Sequence, residues 1–116
     1  MAHGIALINL GCRVNRVELD LMADSLLRMG CRIVEEDEAQ AIVINTCAVT
    51  AEAEAKTRKA VRKAALMPGA PLVVATGCVA SLFADELASL APNVVVQAEK
   101  DKVADRVLEE LGFAPE

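Results

Sequence analysis

Three cysteines stand at comparable places in the sequence, each a short distance after a run of apolar residues. They are Cys12 in NLGCRVN, Cys47 in INTCAVT and Cys78 in VATGCVAS. A buried cysteine often serves only as a small apolar side chain, whereas a cysteine where a strand ends can bind a metal or act as a nucleophile. The elements that carry the three residues decide which of these applies.

Apolar runs alternate with amphipathic segments along the chain, which is typical of βαβ units in a largely parallel sheet. Strands are predicted at Ile5–Leu10, Arg32–Glu35, Ala41–Thr46, Leu72–Thr76 and Val94–Gln97, and helices at Val17–Met29, Ala51–Met67, Ser81–Leu90 and Lys102–Leu111. With right-handed connections, this order predicts one α/β domain over residues 1–116. We expect a three-layer sandwich with a mainly parallel sheet of about five strands, flavodoxin-like or Rossmann-like. The link at residues 36–40 is too short for a helix, so an antiparallel pairing of the second and third strands stays open.

These strands place the three cysteines at one edge of the sheet. If the first, third and fourth strands are parallel, their carboxyl ends meet where open α/β folds bind ligands. The cysteines are 35 and 31 residues apart, about one strand-helix-strand unit each. Cys31, between the first helix and the second strand, belongs at the opposite edge or in the core. His3 is separated from Cys12 by a strand roughly 20 Å long at about 3.3 Å per residue.

Three convergent thiolates without a fourth cysteine or a nearby histidine favour a [4Fe-4S] cluster with one open iron over a closed structural zinc site. The sequence has no CxxC pair, the usual mark of a redox dithiol or a zinc ribbon. It also has neither GxGxxG after the first strand nor a P-loop. Two other interpretations stay open: a non-catalytic zinc-binding or redox-sensing module, and an α/β interaction domain whose cysteines only pack.

Composition sets the expected environment and partners. Of the 116 residues, 54% are hydrophobic and four are cysteines, and the formal net charge is -5. This charge argues against the chain alone being the main nucleic-acid-binding element, and DNA is not an expected partner. Its first residues resemble neither a signal peptide nor a membrane span, so we expect no membrane association and a reducing, cytoplasmic location.

Basic residues cluster on the second predicted helix. They are Lys56, Arg58, Lys59, Arg62 and Lys63. Such a run is often only solvated surface. The functional interpretation is a contact to RNA phosphates or to another domain, carried by Arg58, Lys59 and Arg62.

Three motifs together resemble the amino-terminal domain of the radical-SAM methylthiotransferases: GCRVNRVE at 11–18, INTCAVT at 44–50 and TGCVA at 76–80. The resemblance implies that Cys12, Cys47 and Cys78 bind an auxiliary [4Fe-4S] cluster and leave one iron open. It also implies a radical-SAM barrel, which binds S-adenosylmethionine and a second [4Fe-4S] cluster, and a small terminal RNA-binding domain. Both are absent from these residues, so the barrel is an expected partner in cis and this domain alone is not expected to be catalytically competent.

Within that family, NTCAVTAEAEAKTRKAVRK most resembles the branch that adds a methylthio group to C2 of N6-threonylcarbamoyladenosine, so the tRNA anticodon loop is the expected partner. The branch that acts on isopentenyladenosine in tRNA is the alternative. Val79 and Ser81 depart from the aromatic residue and glutamine that the family commonly has there, which affects local polar contacts and not the ligands. Asn15 is a candidate hydrogen-bond donor to the cluster, or equally a cap of the first helix.

Overall fold

The computed structural model describes residues 4–10, 13–46, 51–67, 71–77, 84–97 and 102–110. Its strands are β1 (Gly4–Asn9), β2 (Arg32–Ile33), β3 (Ala41–Thr46), β4 (Leu72–Gly77) and β5 (Val94–Val96). Its helices are α1 (Arg13–Arg28), α2 (Ala51–Ala65), α3 (Ala84–Ala88) and α4 (Val103–Glu110), with a 3-10 turn at Glu36–Glu38. Within these ranges, no helix is long and apolar enough to cross a membrane.

The five strands form one sheet in the order β2-β1-β3-β4-β5, and every neighbouring pair is parallel. The predicted α/β fold with a five-stranded parallel sheet is therefore confirmed. The antiparallel alternative is wrong, because β2 pairs with β1 and not with β3. The link that follows β2 is held against β1 instead: the Val34 N–H donates to the Ile5 carbonyl at 3.0 Å, and the Gln40 N–H donates to the Gly4 carbonyl at 2.8 Å.

Helices cover both faces of the sheet and give the three layers. On the face covered by α1 and α4, the buried core includes Ile5, Leu19, Met22, Leu26, Val43, Val74, Val103 and Val107. On the face covered by α2 and α3, it includes Ala6, Ile42, Ile44, Val61, Val73, Ala75 and Leu87. The central strand β3 is buried at all six positions. A parallel strand covered on both faces is typically a continuous apolar run, which is how Ala41–Ile44 reads.

The end of α1 is closed by a Schellman motif, which places Cys31. Gly30 has a φ of +91°, a backbone conformation that glycine adopts without a Cβ penalty. Its N–H donates to the Leu27 carbonyl at 3.1 Å, and the Cys31 N–H donates to the Leu26 carbonyl at 2.9 Å. These two bonds are the ones that define the motif, and a hydrophobic contact between its last residue and the last helical turn usually accompanies them. Cys31 and Leu26 are accordingly both buried in the same core cluster.

Candidate metal centre

The carboxyl ends of β1, β3 and β4 lie side by side, and we call this line of strand ends the carboxyl edge. Asn9 of β1 is in register with Asn45 of β3, which is in register with Thr76 of β4. The next registered pair is Thr46 with Gly77. Because neighbouring strands are about 4.8 Å apart, the three ends span roughly 10 Å.

Each candidate ligand follows one of these ends in the sequence. Cys47 comes one residue after β3, and Cys78 comes one residue after β4. Cys12 comes two residues after Leu10, whose N–H still donates to the Asn45 carbonyl at 2.9 Å. The three cysteines themselves lie outside the described residues, so their role as ligands stays a prediction. Among the residues that are described, no group of three His, Cys, Asp or Glu could hold a metal ion.

Gly77 allows β3 and β4 to approach closely immediately before two of the cysteines. Its φ is +103°, in the region that favours glycine. A Cβ built at this position would overlap the carbonyl oxygen of Thr46 in the neighbouring strand. The edge therefore requires a glycine here for two independent reasons, backbone conformation and space.

Buried polar residues collect at the carboxyl edge. Asn45, Thr46 and Thr76 have no exposed surface. The Thr46 hydroxyl donates to the Thr76 carbonyl at 2.9 Å. The Thr76 hydroxyl has no hydrogen-bond partner in the described part of the chain, although buried polar groups in folded proteins are normally hydrogen-bonded.

Sequence reasoning missed this polar set. The available signal was that a polar residue, Asn9, Asn45 or Thr76, precedes each candidate cysteine by two or three positions. Only the strand register shows that these three residues form one row across the sheet.

Asn15 lies inside α1 and does not cap it. The helix begins at Arg13, so Asn15 is its third residue. Its side chain lies outside the described part of the structure, and its contact to the metal centre stays a prediction.

Cys31 is away from the candidate centre, as predicted. It follows the end of α1 and precedes β2, at the opposite edge of the sheet from the ends of β1 and β3. Its side chain is 4% exposed. Burial raises the pKa of the Cys31 thiol, because the thiolate loses solvation in the apolar core. A protonated, buried thiol is a poor nucleophile and a poor metal ligand.

Arg58 is held between two carboxylates. It pairs with Glu54 one turn earlier on α2 at 3.0 Å and with Glu86 on α3. The hydrogen bond to Glu86, together with the charge of Glu54, raises the pKa of Arg58. Its charge is therefore used to join α2 to α3, and any RNA phosphate would compete with two existing partners.

The other basic residues of α2 are free of such pairs within the described residues. Lys59, Arg62 and Lys63, the basic stripe, are exposed, and Arg62 and Lys63 follow Lys59 by three and four residues, which makes both of them its neighbours on the helix surface. Together with Leu66 and Leu90 they line an open groove of about 650 Å³ between α2 and α3. At 1.5 Å of rise per residue, the stripe lies roughly 12–18 Å along the helix from Ala51, where α2 leaves the carboxyl edge.

Comparison with known proteins defines the class. The family described as "Uncharacterized protein family UPF0004" matches residues 4–98, a range that contains Cys12, Cys47 and Cys78. The chain belongs to this family, and the predicted resemblance to the amino-terminal domain of the methylthiotransferases is confirmed.

Individual relatives fall into two groups by name. The chain is 39% identical over 87 residues to the Threonylcarbamoyladenosine tRNA methylthiotransferase MtaB of Aquifex aeolicus, which covers 74% of this chain and 21% of the relative. It is 38% identical over 112 residues to the Ribosomal protein uS12 methylthiotransferase RimO of Desulforudis audaxviator, and the match covers 91% of this chain and 25% of the relative. It is 36% identical over 107 residues to MtaB of Chlamydia pneumoniae, and the match covers 90% of this chain and 25% of the relative. The chain thus spans no more than about a quarter of these curated relatives.

Proposed function

We propose that this chain is the domain of a methylthiotransferase that holds a [4Fe-4S] cluster through Cys12, Cys47 and Cys78. The observation that carries the proposal is the register of the three central strands. Asn9, Asn45 and Thr76 are 36 and 31 positions apart in the sequence, yet they form one row at the carboxyl edge. Each strand leads into one of the cysteines within three residues, at the edge where open α/β sheets bind ligands.

The residues at this edge suit a sulfur-rich group. Three thiols without a histidine nearby in the sequence match an iron-sulfur cluster better than a closed zinc site, which needs four ligands. The buried Thr76 hydroxyl can donate a hydrogen bond there, and Gly77 keeps the edge free of a side chain. A bound cluster with three protein ligands would supply an iron with a free position for a sulfur-containing group.

Anaerobic reconstitution tests the ligand assignment. Incubation of the apo chain with iron and sulfide should give about four irons per chain and a broad visible absorbance. Cys12→Ala, Cys47→Ala and Cys78→Ala should each lose most of this iron, whereas the matched control Cys31→Ala should retain it because Cys31 lies in the core. Tight stoichiometric zinc with no uptake of iron would reject the proposal and favour a zinc-binding module.

The named relatives extend well beyond the part that this chain matches. We propose a radical-SAM enzyme whose other domains bind S-adenosylmethionine and a second [4Fe-4S] cluster, and which adds a methylthio group to C2 of N6-threonylcarbamoyladenosine in tRNA. The motif resemblance and the two MtaB relatives support this substrate. The RimO relative, at 38% identity, supports ribosomal protein uS12 as a second candidate.

Mass spectrometry of modified nucleosides separates these substrates. Deleting the gene should remove the methylthio form of N6-threonylcarbamoyladenosine from digested tRNA and leave uS12 unchanged. Loss of a methylthio group from uS12, with tRNA unchanged, would assign the second candidate. Loss of methylthiolated isopentenyladenosine would assign the alternative tRNA branch.

For RNA contact by this domain, we propose the basic stripe and not Arg58, because the Arg58 charge is already shared by Glu54 and Glu86. Lys59 and Arg62 are exposed and carry no ion pair within the described residues. A phosphate bound at the stripe would lie roughly 12–18 Å along α2 from the carboxyl edge. The stripe would therefore contact RNA flanking the modified nucleotide, not the reacting base.

Charge reversal in the full-length protein tests this contact. Lys59→Glu together with Arg62→Glu should weaken tRNA binding. The slope of log affinity against log salt concentration should become shallower by roughly 0.7 for each phosphate contact that is lost. The control is Arg28→Glu together with Arg32→Glu, which changes the net charge equally at two exposed cations away from α2. Arg28 pairs with the exposed Asp24. Unchanged RNA affinity combined with a lower unfolding temperature would instead assign the stripe to contact with the rest of the protein.

A further inference from the structure

Three polar residues lie side by side where the apolar core ends on one face of the sheet. Asn9, Asn45 and Thr76 follow Leu7, Val43 and Val74 by two positions in their strands. Because side chains alternate between faces, each polar residue points to the same face as the apolar residue two positions before it. That face is the one covered by α1 and α4.

Within this row, the Thr76 hydroxyl is a buried hydrogen-bond donor that the described residues leave unsatisfied. Thr76 has no exposed surface, and its Oγ1 atom has no hydrogen-bond partner there. Thr46 gives the contrast in the neighbouring strand: it is equally buried, and its hydroxyl donates to the Thr76 carbonyl at 2.9 Å. A buried hydroxyl without a hydrogen-bond partner lowers the stability of a protein. Because this hydroxyl lies at the edge of a candidate binding site, its position points to a hydrogen-bond acceptor that belongs to the bound ligand.

We propose that the Thr76 hydroxyl donates a hydrogen bond to a sulfur atom of the iron-sulfur cluster held at the carboxyl edge, a positioning role that rests on the proposed function. Thr76 precedes the candidate ligand Cys78 by two residues and lies in β4, the strand that ends directly before it in the sequence. A hydroxyl supplies one O–H donor, and anionic thiolate and sulfide sulfurs are acceptors. Such a bond stabilises the negative charge that a cluster gains on reduction, and hydrogen bonds to sulfur are one of the determinants of cluster potential.

Two isosteric substitutions separate this role from a structural one. Thr76→Val removes the unpaired hydroxyl, so the apo chain should unfold at the same temperature as the wild type or higher. Thr46→Val removes a hydroxyl that is already bonded, so the apo chain should unfold at a lower temperature. The two variants remove the same group from neighbouring strands at the same level of burial.

The reconstituted protein gives the decisive measurement. In Thr76→Val, the midpoint potential of the cluster should shift to a more negative value, and iron should be lost to a chelator roughly 10-fold faster. Thr76→Ser should restore both properties, and Thr46→Val should leave the potential unchanged.

Three outcomes would contradict the inference. An unchanged potential and unchanged iron retention in Thr76→Val would overturn it while leaving the cluster assignment intact. A fall in the apo unfolding temperature of Thr76→Val, equal to that of Thr46→Val, would show that the hydroxyl is satisfied within the protein. A wild-type chain that takes up no iron would overturn the proposed function itself.

Discussion

The carbonyl oxygen of Thr46 occupies the space that a Cβ atom of Gly77 would need. These two residues are register partners at the ends of β3 and β4, so a change at Gly77 acts directly on the backbone of the neighbouring strand. The sequence continues from Thr46 and Gly77 into Cys47 and Cys78. A single glycine therefore controls how closely the ends of these two strands approach each other.

Gly77→Ala should destabilise the fold more than an ordinary glycine substitution. The positive φ alone costs about 1–2 kcal/mol for a residue with a Cβ, and the overlap with Thr46 adds to that. Gly30→Ala is the matched control, since Gly30 also has a positive φ but has no neighbouring atom within 4 Å of the position that a Cβ would occupy. Urea unfolding of both variants isolates the overlap, and equal losses would contradict it.

Cys31 should react slowly and should make stability sensitive to high pH. Burial raises its pKa, so the folded state retains the proton, while the unfolded thiol ionises near its ordinary pKa of about 8.5. This contribution to stability is present at neutral pH and is lost as the pH rises above that value.

Iodoacetamide labelling in a background with Cys12, Cys47 and Cys78 changed to alanine measures the reactivity of Cys31. Labelling should be slow at neutral pH in the native protein and fast after unfolding in urea. Fast labelling of the native protein would contradict the burial of this thiol. In the same background, the urea midpoint should fall between pH 8 and pH 10, and Cys31→Ala should reduce that fall.

The ion pair between Arg58 and Glu86 should couple α2 to α3 weakly and in a salt-dependent way. Both side chains are partly exposed, and solvent screens such pairs. A double-mutant cycle with Arg58→Met and Glu86→Gln should give a small favourable coupling at low salt, which disappears near 1 M salt. Coupling that persists at high salt would contradict this prediction, because it would mean that the ion pair is shielded from solvent.

Leu26→Ala should remove a large part of the stability of the domain. Leu26 is fully buried in the core between α1 and the sheet, and such substitutions cost about 2–5 kcal/mol. Leu21→Ala on the same helix is the control, because Leu21 is 64% exposed and should change stability by no more than about 0.5 kcal/mol. Similar losses for both variants in urea unfolding would contradict the assignment of the core face.

The strands and helices were predictable from the sequence where burial alone determines the pattern of apolar residues. β3 was predicted to the residue, because a buried parallel strand is a continuous apolar run with polar residues at its limits. β2 was predicted as Arg32–Glu35 but pairs only at Arg32 and Ile33, since a strand at the edge has one partner and little burial to mark its length. The start of α1 was predicted four residues late, because Arg13 to Arg16 offer little apolar periodicity to identify a first turn.

The candidate site was predictable only in part. That the strands before Cys12, Cys47 and Cys78 share one edge follows from parallel connections, and the sheet order confirms this for the strands themselves. The row of Asn9, Asn45 and Thr76 was not predictable, because it depends on the register between segments more than thirty residues apart. The pairing of Arg58 with Glu86 was missed for the same reason, since sequence alone does not tell which helices are neighbours.

The central position of β3 has a consequence for how such a protein matures. β3 pairs with β1 on one side and with β4 on the other, and β4 is complete only when Gly77 has been synthesised. Both pairings close long loops, so they form late and cooperatively. A nascent chain that ends before β4 would offer iron two of the three cysteines and an open flank of β3. If the chain holds the proposed cluster, iron delivery would follow closure of the sheet, and an iron donor would then recognise the folded domain and not the emerging polypeptide.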